Sequence, residues 1–144
     1  MPEKELEQLK TLLNPKGMQF RLTDAETLTD AWDMAFCAAV APQELDGIHY
    51  EDFRWHLFSY DKLAAKTGDE ARAALAEKSS QRLFLFFQHL DRAYELRQAY
   101  DLDAADVDAV AEICAPDVYV FDADGCWTYV RTHEAACGPY FFQW

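Results

Sequence analysis

Leu83-Phe84-Leu85-Phe86-Phe87 places consecutive large apolar side chains along the chain with no polar residue between them. Successive side chains of a strand point to opposite faces, so an unbroken run of this kind predicts a strand covered on both sides. A buried helical turn would give the same run, and periodicity alone does not separate the two. A strand that needs cover on both faces calls for helices packed on a sheet. The chain has the material: 144 residues, 51% hydrophobic and 15% aromatic, the size of one domain burying roughly 70% of its unfolded surface. One domain spanning residues 1–144 is expected.

Helical signals surround the run. Leu6, Leu9 and Leu13 form one stripe of a helix over about Glu3 to Leu13, which Asn14-Pro15-Lys16-Gly17 ends. Thr23-Asp24-Ala25-Glu26 reads as a capping box, followed by Leu28, Ala31, Trp32, Ala35, Phe36 and Ala39 at helical spacing up to Pro42. A second box, Thr67-Gly68-Asp69-Glu70, opens a helix through about Ser79. Asp91 to Tyr100 reads as a short helix, and Asp103 to Ala115 as another, with Asp103 as cap and Pro116 as stop. Aromatic-rich Arg54 to Tyr60 reads as a strand. Val118 to Phe121 and Cys126 to Val130 flank Asp122-Ala123-Asp124-Gly125 and read as a hairpin. The expected fold is α+β. A mixed sheet of roughly four strands, with a parallel pair from a helical crossover and a C-terminal β-hairpin, is packed by about five helices.

Charge is the other strong constraint. Thirteen basic residues against 26 acidic ones give −13. No Lys or Arg occurs between Arg21 and Arg54, where Asp24, Glu26, Asp30, Asp33, Glu44, Asp46, Glu51 and Asp52 lie. None occurs between Arg97 and Arg131, where Asp101, Asp103, Asp106, Asp108, Glu112, Asp117, Asp122 and Asp124 lie. Two all-acidic blocks create a negative field that disfavours nucleic acid and admits a basic protein partner. Asp101, Asp103, Asp106, Asp108 and Glu112 are the candidate acidic interface. Acidity that only maintains solubility is the plain alternative.

No phosphate-loop, dinucleotide, zinc-protease or nucleophile-elbow motif is present, and five glycines leave little for a phosphate cradle. No cofactor is expected. His49, His56, His89 and His133 lack the short spacing of a metal site, so none is expected there. Cys37 and Cys114 are expected on apolar helix faces; all four cysteines read as reduced thiols, with a Cys126–Cys137 disulfide as the alternative. No apolar run reaches the length of about 20 residues that spans a membrane. The Met-Pro-Glu-Lys-Glu start shows no signal peptide, so a cytoplasmic location is expected.

Two polar-aromatic segments carry the candidate chemistry. If each is a strand, alternation places Arg54, His56, Phe58 and Tyr60 on one face, and Trp127, Tyr129, Arg131 and His133 on one face. Side by side, these would form a cationic, aromatic-walled pocket for an anion, with Ser59 or Glu134 beside a histidine for nucleophilic or acid–base work. Ordinary structural roles for the same residues are the competing account.

Trp55-His56-x-Phe58-Ser59-Tyr60, the helix start at Gly68-Asp69-Glu70-Ala71, Trp127-Thr128-Tyr129-Val130-x-Thr132-His133-Glu134 and Gly138-Pro139-Tyr140-Phe141 together resemble a small bacterial family. It is the domain-of-unknown-function family numbered four-two-seven-five. The resemblance spans about Trp55 to Phe141. It implies a bacterial, single-domain, cytoplasmic protein and brings no activity with it. The leading expectation is therefore an interaction module that docks a basic protein, in the manner of immunity or inhibitor proteins. The alternative is a small enzyme or anion-binding domain using the Arg/His/aromatic face.

Overall fold

The Leu83–Phe87 run is a strand in the interior of a seven-stranded sheet, and its two faces meet two separate cores. A computed structural model describes residues 2–48, 53–78, 81–134 and 136–144. His49, Glu51, Asp52 and the Ser79 end of the predicted helix lie outside the described residues. In chain order the elements are α1 (Pro2–Leu13), a 3-10 turn (Asn14–Lys16), β1 (Gln19–Asp24), α2 (Ala25–Phe36), α3 (Pro42–Gly47), α4 (His56–Ser59) and β2 (Lys66–Thr67). Then follow α5 (Gly68–Ala76), β3 (Arg82–Phe87), β4 (Arg92–Arg97), α6 (Ala104–Ile113), β5 (Val118–Asp122), β6 (Trp127–Arg131) and β7 (Tyr140–Gln143).

The sheet order is β1-β4-β3-β5-β6-β7-β2, and every neighbouring pair is antiparallel. On one face, Leu83, Leu85, Val118, Val120 and Tyr129 pack against Leu9 and Leu13 of α1, Leu75 of α5 and Val107 and Val110 of α6. On the other, Phe86, Tyr119, Phe121 and Phe142 pack against Leu28, Trp32 and Phe36 of α2 and Leu57 and Phe58 of α4. Trp32 is the centre of the second core: its ring meets Phe36, Phe58, Phe86 and Tyr119. Its Nε1 donates to Thr128 Oγ1 at 2.9 Å, so the indole is buried with its polar atom satisfied.

Several expectations are corrected here. Among the described residues the sheet has seven strands, not roughly four, and no parallel pair. Arg54–Tyr60 is not a strand but a turn leading into α4; Trp55, Leu57 and Phe58 are buried against α2 instead of alternating across a sheet. Asp91–Tyr100 is not a helix. It holds β4, where Ala93 and Glu95 face one side and Tyr94 and Leu96 the other, between β1 and β3. Glu, Leu, Ala and Arg are good helix formers, and pairing on both edges overrides that preference. Thr23 lies in β1; Asp24 caps α2, its carboxylate accepting from the Thr27 N–H at 3.0 Å. α2 stops at Phe36, short of Ala39. Thr67 stands at the α5 N-cap without a side-chain hydrogen bond. β1 and β7 carried no sequence signal strong enough to be read in advance. The 118–130 hairpin, the Asp103 cap and the Gly17 stop, at φ 77°, are where the sequence places them.

Candidate functional sites

The helices that carry much of the two acidic blocks lie on opposite faces of the sheet, α2 on one side and α6 on the other. At α6, Asp103, Asp106 and Asp108 are engaged within the molecule. Lys16 Nζ reaches Asp106 at 2.7 Å and Asp103 at 3.2 Å, and its donation to the Asp101 carbonyl completes the cluster. Asp103 and Asp106 also form a capping box, and Arg131 Nε lies 3.3 Å from Asp108. Asp101 and Glu112 remain at the surface. Burial opposes the Asp103 charge, but the Asp106 N–H and Lys16 hold its carboxyl below the ordinary range.

The α2 block differs. Asp33 is tied to Arg54 by two bonds, Nε–Oδ1 at 2.9 Å and Nη2–Oδ2 at 3.2 Å. Glu26 and Asp30 point outward along the helix with no ion pair among the described residues. On the same outer stripe, Met34 is 78% exposed, one turn beyond Asp30. Beside it, Trp144 Nε1 donates to the Ala35 carbonyl at 2.7 Å, and its ring meets Phe142 edge-on at 4.9 Å. The indole is thus pinned by its polar atom while 60% of the residue stays exposed. Gly125 of the β5–β6 turn also lies against Ala35 and brings exposed Asp124 to this side. Exposed Met34 and Trp144 thus lie on the α2 side of the sheet with exposed Glu26, Asp30 and Asp124. Periodicity reads a helix's buried side, which is why Met34 and Trp144 escaped the sequence.

The polar-aromatic residues gather elsewhere, at the end of the sheet where the 53–60 segment, the β3–β4 turn and the segment after β6 meet. Phe53 lies 5.5 Å from the His56 ring, 5.6 Å from His89 and 5.1 Å from His133. Trp55 contacts His56 at 4.7 Å and His133 at 5.8 Å. Tyr119 and Gln88 hold the segment down: the Tyr119 hydroxyl accepts the Trp55 N–H at 3.0 Å and donates to Gln88 Oε1, which also accepts the Arg54 N–H. Burial pushes the Tyr119 hydroxyl well above its usual range, keeping it a neutral donor. His56 Nδ1 lies 2.6 Å from the Ile48 carbonyl and His133 Nδ1 3.0 Å from both Asp117 oxygens. A carbonyl and a carboxylate only accept, so both rings carry hydrogen on Nδ1. His133 Nε2 lies 3.6 Å from Glu134 Oε1. A histidine oriented by a buried carboxylate is the arrangement of a general base. Trp55 Nε1 is buried without an acceptor among the described residues.

The remaining sequence-selected residues are dispersed. Trp127 and Tyr129 are buried in the core under α5 and α6, the Tyr129 hydroxyl without a hydrogen-bond partner among the described residues and pushed well above its usual pKa by burial. Arg131 donates to Asp108 and the Pro116 carbonyl and, with Glu134, Arg72 and Asp108, lines a cavity of about 180 Å³. Tyr60 is exposed against His56, and Ser59 Oγ is buried without a partner among the described residues. Phe53, Gln88, His89 and Asp117 were missed as neighbours. Asp117 was within reach of the sequence, because the hairpin register Val118↔Arg131, extended one step outward, sets residue 117 opposite Thr132, the chain neighbour of His133.

Fold and surface together define a one-sheet antiparallel α+β domain with exposed Met34 and Trp144 on its α2 side and a separate histidine–aromatic cluster. The chain belongs to the family described as Domain of unknown function (DUF4275), which it matches over residues 13–141. That match takes in β1 and α2, beyond the motifs read from the sequence. No curated protein and no solved structure matches the chain.

Proposed function

We propose that this protein is an interaction module that docks a basic protein partner through the outer face of α2. The observation that supports it is Trp144 pinned to the Ala35 carbonyl, next in the chain to exposed Met34, on a helix whose Glu26 and Asp30 have no ion pair among the described residues. Aromatic and Met side chains are enriched as interface anchors, and charge around them steers encounter and selects partners. α2 itself carries no Lys or Arg, since none occurs between Arg21 and Arg54, and the partner segment carries Lys or Arg around an apolar anchor. Selection from a displayed random-peptide library tests this. Enriched peptides should be net basic with an aliphatic or aromatic centre, bind more weakly as salt rises, and lose about tenfold in affinity for a Met34→Ala/Trp144→Ala variant. Enrichment of neutral or acidic peptides, or binding indifferent to the double variant, contradicts the reading.

A second reading has its own support in the His133–Asp117 pair. Here the Phe53/Trp55/His56/His89/His133 cluster binds a small ligand and His133 Nε2 accepts a proton from it. His133→Ala should then abolish ligand-dependent shifts of the His56 and His89 resonances in a screen of small anions, with little change in stability. Identical spectra with and without His133 for every anion would remove it.

A further inference from the structure

On the α5/α6 side of the sheet, charged side chains distant in sequence meet around one cavity. Arg72 stands on α5, Asp108 on α6, Arg131 ends β6 and Glu134 follows it. With Thr132, Gly138 and Pro139 they line a space of about 180 Å³. The fold fixes its walls. Ala71, Ala74 and Leu75 seat α5 in the core, and the Gly68 N–H at the start of that helix donates to the Pro139 carbonyl at 3.0 Å. Thr132 Oγ1 donates to the Glu134 carbonyl at 2.9 Å and to the Cys137 carbonyl. Gly138, at φ 92°, has little room for a Cβ beside Thr132 and Tyr140, so backbone forms that wall.

The charges around the cavity are only partly engaged. Arg131 donates through Nε to Asp108 at 3.3 Å and through Nη1 to the Pro116 carbonyl at 2.7 Å, and Arg72 through Nη1 to Asp69 at 2.8 Å. Arg131 Nη2, and Arg72 Nε and Nη2, have no hydrogen-bond partner among the described residues. Glu134 Oε2 accepts from Cys137 Sγ at 3.4 Å, and its Oε1 lies 3.6 Å from His133 Nε2. The lining thus sets two guanidiniums against two carboxylates, with Asp69 a further acid at the edge. Asp103 and Asp106, on the same helix as Asp108, are paired with Lys16, and Asp117 with His133. A bare anion meets the carboxylates here and a bare cation meets the guanidiniums, whereas a molecule that carries both charges answers both. The volume is below the roughly 300–1,000 Å³ of pockets for drug-sized ligands, which sets that molecule at the size of a small metabolite.

We infer that this cavity binds a free amino acid, its carboxylate on Arg72 and Arg131 and its ammonium on Asp108 and Glu134. A guanidinium fork matches the two oxygens of a carboxylate, and the three donors of an ammonium match carboxylate acceptors. The site lies across the sheet from α2 and does not rest on docking there.

The test is NMR titration of the isotope-labelled full chain with each protein amino acid singly, following the Arg72 and Arg131 Nε–Hε and the Thr132 and Gly138 amide resonances. Saturable shifts are expected for at least one of them. Its N-acetyl derivative, which lacks the ammonium, and its carboxamide, which lacks the carboxylate, should each bind at least about tenfold more weakly. Arg72→Gln should weaken the free amino acid about tenfold and leave the carboxamide unchanged, and Glu134→Gln should weaken it while leaving the N-acetyl derivative unchanged. Both side chains are exposed, so both variants should fold, and Arg97→Gln should leave the affinity as it is. A derivative that binds as tightly as its parent, an affinity that Arg72→Gln and Glu134→Gln leave unchanged, or shifts that rise linearly for every amino acid overturn the site.

Discussion

Glu5 shows how a single side chain secures the N-terminal helix. Arg92 binds its carboxylate with two bonds, Nε–Oε1 at 3.2 Å and Nη2–Oε2 at 3.0 Å, and the Tyr94 hydroxyl donates to Oε1. Burial works against the charge, but these partners outweigh it and hold the carboxyl below its usual value of 4.5. A depressed folded-state value means stability that is fully present above about pH 4.5 and lost as pH falls through the folded value. Glu5→Gln should therefore flatten the acid limb of the stability–pH profile. Glu5→Ala should cost roughly 1–3 kcal/mol at neutral pH by leaving Arg92 and Tyr94 without their acceptor; an unchanged denaturant midpoint contradicts this. The cysteines separate on the same logic. Cys37 is buried, and burial beside Glu5 pushes the Cys114 thiol up to about 12. Exposed Cys126 should react first with a thiol reagent, and Cys37 and Cys114 only on unfolding. Early reaction of Cys114 would show that α1 does not cover it.

At the scale of elements, capping and pairing decide what the sequence showed. Asp103 was legible as a cap because it stands just before an apolar stripe, and its capping box with Asp106 is present. Asp103→Ala should cost about 1 kcal/mol, whereas Thr67→Ala, with no cap bond to lose, should leave the midpoint nearly unchanged. Equal effects of the two would misplace the caps. The hairpin was legible from its turn, and β3 from its apolar run. β4 was not, because its Tyr94 and Leu96 face one core and Glu95 pairs with Arg97 of its own strand and with Arg21 and Arg82 of the two neighbouring strands. No local pattern records such a partner. The 53–60 segment failed for the opposite reason: its aromatic residues look like a strand, but they are spent in packing on α2 and around the histidines.

For the whole molecule, net charge was plain from the sequence, but its distribution was not. Sequence shows two equal acidic blocks. The fold places α2 and α6, which carry part of each, on opposite sides of the sheet and engages Asp103, Asp106 and Asp108 of the second with Lys16 and Arg131. The first keeps Glu26 and Asp30 outward beside Met34 and Trp144. Trp32, Trp55 and Trp127 are buried, so quenching of tryptophan fluorescence reports chiefly on Trp144. A bound basic peptide should shield it, and shielding should fade with salt. The central claim is that docking occurs on α2. The most direct measurement is chemical-shift mapping of a library-selected basic peptide on the isotope-labelled chain. The account predicts perturbations centred on Asp30 to Ala35 and the Trp144 indole, with α6 and the His56, His89 and His133 rings undisturbed. Perturbations centred on the histidine cluster, or on Asp101 to Glu112, would contradict it.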